Sequence, residues 1–264
     1  MKNPLFAIHK IAIAPAGLIN AFLINTDKHC ILVDCGLPDT EDKVAAVLRS
    51  LGKDFSDISL IIVTHAHIDH AGNAQRLRQL SGAPLLAHEA DLPYFLGEKK
   101  MHFCATGWFG HVFKQTGAIQ KPYSPFQPDI LLRAGESYDL NGFGINGRVI
   151  PTPGHTAGSV SVLIDNRYAL VGDLISSGIL LGGLLLTGKA KKPPFEENPD
   201  AVSDALVSLV SLGAEMFYMG HGGPLPQDEV LRHARRIAAP ETAQAVSTGS
   251  SRAGPQGLQG MLKG

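Results

Sequence analysis

The segment Thr64-His65-Ala66-His67-Ile68-Asp69-His70-Ala71-Gly72 constrains this chain more than any other, because three histidines and an aspartate fall within six residues. It follows the apolar run Leu60-Ile61-Ile62-Val63, which reads as a buried strand, so the cluster is expected at a strand end. Imidazole nitrogens and carboxylate oxygens are zinc ligands, and the spacing is too dense for unrelated surface groups. An ion with all its ligands from one short loop would be closed to substrate. Further ligands elsewhere, and a second ion, are the simplest expectation; a solvated His-rich turn is the competing one.

Other strand-like runs end on candidate ligands. His155 sits in Pro151-Thr152-Pro153-Gly154-His155-Thr156-Ala157-Gly158-Ser159, Asp173 follows Ala169-Leu170-Val171-Gly172, and His221 follows Met216-Phe217-Tyr218-Met219-Gly220. Strand ends along one rim of a sheet can converge while remaining far apart in the chain.

The flanking pattern is that of an α/β chain. Strands are expected near 5–13, 20–24, 30–34, 84–87, 137–140, 144–150, 159–164 and 168–171. Helices are expected after Thr40, where Val44, Val47, Leu48 and Leu51 share a face, over about 71–80, after Asn198-Pro199, and over about 227–238. Such alternation suits a sheet covered by helices. Residues 91–129 break it. This stretch holds the only tryptophan, many other aromatic rings and several glycines and prolines, with no sustained period. It reads as an aromatic insertion forming a lid or pocket wall over the metal site, with Trp108, Phe109 and His111 as candidate substrate contacts. Packing of a satellite core is the alternative. Residues 174–188 are apolar and Gly-rich but too short to span a bilayer, so a buried loop, a pocket wall or a membrane-surface patch stay open. Residues 1–239 are read as one domain and 240–264 as a mobile tail.

Composition narrows the partners. A formal net charge of −1 over 264 residues provides no basic field for nucleic acid or anionic membrane. Cys30, Cys35 and Cys104 are odd in number and lack CxxC spacing, which argues against a disulfide framework and for a reducing, cytoplasmic home. The apolar stretch 11–24 is interrupted by Pro15, Gly17 and Asn20, so a turn between strands is expected rather than a signal peptide. His9 and His29 are expected at the surface. His233, beside Arg232, Arg235 and Arg236, is expected on a solvated helix face.

The set His65-x-His67-x-Asp69-His70, Gly154-His155-Thr156, Gly172-Asp173 and Gly220-His221 resembles the metallo-β-lactamase fold superfamily over roughly residues 5–239. The resemblance implies a four-layer αβ/βα sandwich with a dinuclear metal site at the edge shared by two sheets. It also implies His65, His67 and His155 on one ion, Asp69, His70 and His221 on the other, and Asp173 between them. Two divalent ions per chain, zinc or else iron or manganese, would share a water and lower its pKa toward neutrality. Asp69 would orient that water or pass its proton to the leaving group. True β-lactamases are disfavoured within the superfamily, since their subclasses lack either the Asp69-type or the Asp173-type ligand. Nuclease members bring an additional domain and basic surface. The reading that remains is a hydrolase of an ester, lactone or thioester with an apolar acyl arm, acting alone or as a homo-oligomer. The alternatives are a phosphodiesterase on a lipid-like or small phosphodiester, a mononuclear-iron persulfide dioxygenase, and a metal-bearing ligand-binding or regulatory module.

Overall fold

A strand made only of apolar residues has to be covered on both faces. The computed structural model describes residues 6–179 and 185–238 and shows how this is done. The first sheet runs in the spatial order β1 (Phe6–Ala14), β2 (Ile19–Thr26), β3 (Cys30–Val33), β4 (Ile58–Ile62), β5 (Leu85–His88) and β6 (Ile130–Leu132). It is antiparallel as far as β3 and parallel from there on. Parallel neighbours need crossovers. These carry α1 (Glu41–Ser50), then α2 (Ile68–Ala71) with α3 (Ala74–Ser81), then α4 (Leu92–Phe95) with α5 (Gly107–Gln115).

The second sheet is built from β7 (Tyr138–Asp139), β8 (Gly147–Pro151), β9 (Val160–Ile164) and β10 (Tyr168–Leu170). A small ribbon of β11 (Ser176–Ser177) and β12 (Ala190–Lys191) follows, then α6 (Pro199–Ser211), β13 (Met216–Tyr218), β14 (Leu225–Pro226) and α7 (Gln227–Ala238). The strand order is β14-β13-β10-β9-β8-β7, with β13 parallel to β10.

Side-chain alternation sets the layers. From β3, Cys30 and Leu32 join a cluster with Val44 and Leu48 of α1 and Leu77 of α3. Ile31 and Val33 point the other way, into a core shared with Val160, Val162 and Leu170 of the second sheet. Leu163, Ala169 and Phe217 on the far face of that sheet cluster with Leu206 and Leu209 of α6 and Val230 and Ala234 of α7. This is the expected α/β four-layer αβ/βα sandwich.

Two local differences have physical causes. α5 lies where no helical period is visible, because Gly107 and Gly110 dilute it. The glycine at 110 is required by packing: a Cβ there would lie 2.2 Å from the Pro194 carbonyl oxygen. His233 is buried rather than solvated, with neither ring nitrogen hydrogen-bonded, while Arg232, Arg235 and Arg236 face outward. The tail at 240–264 lies outside the described residues, as does 180–184 of the apolar run. Among the described residues no helix is long and apolar enough to cross a membrane.

His233 therefore becomes an acid-sensitive element. Burial, helped by Arg236, Arg232 and Lys192 and opposed by Glu229, pushes its imidazole down to about 4. The folded protein keeps it neutral, so the unfolded chain binds the extra proton as pH falls through the ordinary histidine range. The stability from this site is complete above about 6.5 and lost progressively toward 4, amounting to about 2 kcal/mol by pH 5. Urea titrations at pH 7 and pH 5 are expected to show a smaller acid loss in His233→Leu than in the wild type. Equal losses would assign the acid sensitivity to other groups.

Candidate metal centre

The candidate ligands sit just past strand ends. His65 and His67 follow β4, Asp69 and His70 lie in α2, His155 lies between β8 and β9, Asp173 follows β10, and His221 follows β13. Two groups result: His65, His67, His155 and Asp173; and Asp69, His70, Asp173 and His221. In the first, His65 Nε2 is 3.1 Å from His67 Nδ1, and His155 Nε2 is 3.2 Å and 3.0 Å from those atoms. Three buried imidazole nitrogens this close cannot all carry protons. Ligands held 2.0–2.1 Å from a tetrahedral ion stand about 3.3 Å apart, so the spacing fits a shared cation. In the second, His221 Nε2 lies 3.0 Å from Asp173 Oδ2 and 3.2 Å from Asp69 Oδ2, and His70 Nε2 lies 3.3 Å from Asp173 Oδ1.

The electrostatics of the two groups differ in sign. Burial holds His67 near 3 and His155 near 4 and pushes His65 well below its ordinary value, so their lone pairs are free to bind a metal. Burial alone would also lower His70 and His221. There the carboxylates win: Asp173, Asp34 and Asp69 hold His70 well above its ordinary value, and Asp173 with Asp69 holds His221 up at about 10. In return, and against their own burial, Asp69 and Asp173 are held below the ordinary carboxylate range by these two histidines. In the second group the two carboxylates thus draw protons onto the two histidines, and a divalent cation would take the place of those protons. His70 Nε2 and Asp173 Oδ1, 3.3 Å apart, are also buried and make no hydrogen bond of good geometry with each other or with any other group. Unpaired buried polar atoms are rare in folded proteins, and these two are ligand-type atoms aimed into the cluster. The donor set fits divalent metal.

Several positioning residues are visible only in three dimensions. Asp34, after β3, accepts from the Thr64 backbone N–H at 2.8 Å, from Thr64 Oγ1 at 2.9 Å and from His70 Nδ1 at 2.8 Å. By accepting from Nδ1–H it would leave the His70 Nε2 lone pair for a metal. Asp91 ties the two ligand loops together. Its Oδ2 accepts from Ala66 N–H at 3.0 Å and Thr156 Oγ1 at 2.9 Å, and its Oδ1 from Gly158 N–H at 2.9 Å. Asn20 anchors the His221 loop, its side-chain amide donating to the Met219 and Gly222 carbonyls at 3.2 Å and 3.0 Å. The neighbouring Gly220 has no room for a side chain, since a Cβ would lie 2.3 Å from His70 Cε1 and 2.5 Å from Asp173 Oδ1. Asp34 had a faint sequence signal, an acid closing an apolar strand just before Gly36. Asp91 and Asn20 had none.

The cluster opens into a chamber of about 170 Å³ walled by Ile19, Leu37, Ile68, Phe103, Phe113, Ile119 and Phe195. The Phe103 ring is 5.0 Å from His67 and 5.1 Å from Phe195, and Phe113 stacks on Phe195 at 6.0 Å. Of the candidate substrate contacts, Trp108 is 74% exposed and His111 also faces solvent; neither lines the chamber. Phe109 stacks on Phe113 at 5.7 Å, one helical turn behind it. Residues 109 and 113 share the inward face of α5, and 108 and 111 do not.

Over residues 14–221 the chain matches the family model of the metallo-beta-lactamase superfamily, a span that contains every residue of both ligand groups. The chain belongs to that superfamily. Among superfamily relatives, it is 28% identical to the metallo-beta-lactamase fold-containing protein ST1585 of Sulfurisphaera tokodaii, covering 91% of this chain and 88% of that one. It is 21% identical to the probable metallo-hydrolase YflN of Bacillus subtilis, covering 83% and 84%. The crystal structure of ST1585 superimposes with a TM-score of 0.62 at 20% identity, over 90% of this chain and 88% of that one. A metallo-beta-lactamase family protein of Thermus thermophilus, TTHA1429, gives 0.63 at 23% identity, over 93% and 81%. Both structures share the superfamily fold.

Proposed function

We propose that this superfamily member is a hydrolase holding two divalent ions per chain, zinc in the first instance, that cleaves an ester, lactone or thioester with an apolar acyl part. The observation that carries the reading is the composition of the chamber. Its polar lining consists of His67, Asp69, His155, Asp173 and His221, the rest is apolar, and no Ser, Thr, Cys or Lys among the described residues lines it. With no hydroxyl, thiol or amine in that lining, and with its aspartates and histidines assigned to the ions, the attacking group in this reading is water. Bound divalent ions would supply Lewis acidity toward the carbonyl and lower the pKa of such a water. His65, His67 and His155 would hold one ion, Asp69, His70 and His221 the other, with Asp173 between them. Asp69 is the carboxylate open to the chamber, 19% exposed against 4% for Asp173. That exposure supports the reading in which Asp69 accepts a proton from the attacking water and hands it to the leaving group. Phe103, Phe113 and Phe195 exclude bulk water and seat the acyl part, Phe109 supports Phe113, and Trp108 and His111 stand outside.

The test is a panel of chromogenic esters, thioesters, lactones and phosphodiesters, with and without chelator, alongside elemental analysis. About two ions per chain, chelator-sensitive turnover strongest on carboxylic esters and thioesters, and a melting temperature lowered by chelation are expected. Turnover strongest on phosphodiesters would replace the proposed bond. One iron per chain with oxygen uptake on a persulfide would replace the reading altogether.

The apolar wall has its own signature. Each methylene seated against Phe113 contributes at most about 0.8 kcal/mol, or roughly four-fold in kcat/KM. Phe113→Ala is expected to flatten the dependence of kcat/KM on acyl length, whereas Trp108→Ala leaves that slope near the wild-type value. The opposite ranking would return the substrate contact to Trp108.

A further inference from the structure

A second cavity, of about 560 Å³, adjoins the metal chamber, and Ile68, Phe103 and Ile119 line both. The chamber's own 170 Å³ has room for a reacting group and little more. Small-molecule sites run from roughly 300 to 1,000 Å³, so the body of a substrate reacting at the metals extends past the shared wall into the larger space. That space is apolar near the metals, and Lys99, Lys100 and Lys121 also line it. Among the described residues no Asp or Glu lines it. Lys189 and Lys192 have carboxylate partners in Glu229 and Glu196, but among the described residues these three lysines have none within 4.0 Å. In a chain of net charge −1, a local surplus of cation at one cavity selects for negative charge.

Resting on the hydrolase reading above, we propose that the substrate is an amphiphilic anion whose scissile carbonyl sits in the metal chamber and whose apolar arm ends in a carboxylate or phosphate held by Lys99, Lys100 and Lys121. Ammonium groups on flexible stems act as point charges and accept either headgroup. Hydrolysis then consumes one water, breaks the acyl C–O or C–S bond, and releases a carboxylate, a proton and an alcohol or thiol.

The test uses metal-loaded protein and thioesters of equal chain length ending in either a carboxylate or a methyl group. Wild type is expected to favour the anionic member in kcat/KM by about ten-fold, and less so as salt rises. The triple variant Lys99→Ala/Lys100→Ala/Lys121→Ala is expected to bring the ratio close to one. Calorimetric titration with decanoate and decyl phosphate reads binding without turnover, and Kd is expected to rise about ten-fold in the triple variant. A rise for one probe alone supports the proposal and identifies the headgroup. Should the triple variant melt below the wild type, Lys99→Gln and Lys121→Gln are measured singly. An anionic-to-neutral ratio unchanged by substitution, with unchanged Kd for both probes, overturns the proposal. No turnover on either thioester or on the matching esters and lactones, with the lysine-dependent Kd intact, removes the hydrolase reading and leaves the anion site standing.

Discussion

Asp173→Ala is expected to strip the protein of metal and activity together. Asp173 is the residue common to both ligand groups, with one oxygen 3.3 Å from His70 Nε2 and the other 3.0 Å from His221 Nε2. In the proposed two-ion site, removing it would take away a ligand from each ion and part of the charge that offsets them. The loss should exceed the roughly 10–100-fold in metal affinity or activity that outer-shell partners cost. Glu89 provides the comparison, since it is an acid near the same rim whose ion pair, with Arg133 at 3.6 Å, is half exposed. Exposed pairs of this kind contribute about 0–1 kcal/mol, so Glu89→Ala should leave metal content and kcat/KM near the wild type. Elemental analysis, kcat/KM and melting temperature for the two variants decide the matter. Equal losses would show that Asp173 is not the shared ligand.

Asp34→Ala should be nearly as damaging without removing a ligand. The substitution leaves the Thr64 N–H and His70 Nδ1 buried without acceptors, at about 1–3 kcal/mol each. It also places alanine at a φ of +64°, a left-handed conformation that costs a Cβ-bearing residue about 1–2 kcal/mol and that Asp and Asn tolerate best. A total of about 3–8 kcal/mol corresponds to a melting temperature lower by roughly 6–32 °C. Asp34→Asn separates backbone strain from proton placement. If its amide oxygen faces Thr64, its NH2 faces His70 and forces the proton onto Nε2, the atom needed for the metal. If the amide flips, two donors meet at Thr64. Asn is therefore expected to lower metal affinity by about 10–100-fold with less effect on stability than Ala. Wild-type metal affinity in Asp34→Asn would show that His70 does not depend on this hydrogen bond for its tautomer.

Much of the candidate ligand set was legible because metal chemistry restricts residue type so narrowly. Few local patterns combine imidazole and carboxylate as densely as His65 to His70, and His155, Asp173 and His221 each close an apolar run. The layers were legible for a related reason, since strands such as Cys30–Val33, apolar at every position, require cover on both faces. α5 was not legible. It depends on Gly110 lying against Pro194, a contact between distant parts of the chain.

Strand ends, helix faces and ligand types are local properties, and the sequence by itself determined them: hydrophobic period and side-chain chemistry act over a few residues. Only the tertiary structure decided which groups serve those ligands. Asp34 reaches His70, Asp91 joins Ala66 to Thr156 and Gly158, and Asn20 holds the His221 loop across the chain. It also decided that Phe113 rather than Trp108 faces the chamber, and that His233 is buried beneath its outward-facing arginines. Such assignments depend on the rotation of a helix against its neighbours and on the closure of long loops, neither of which has a local signature in residue order.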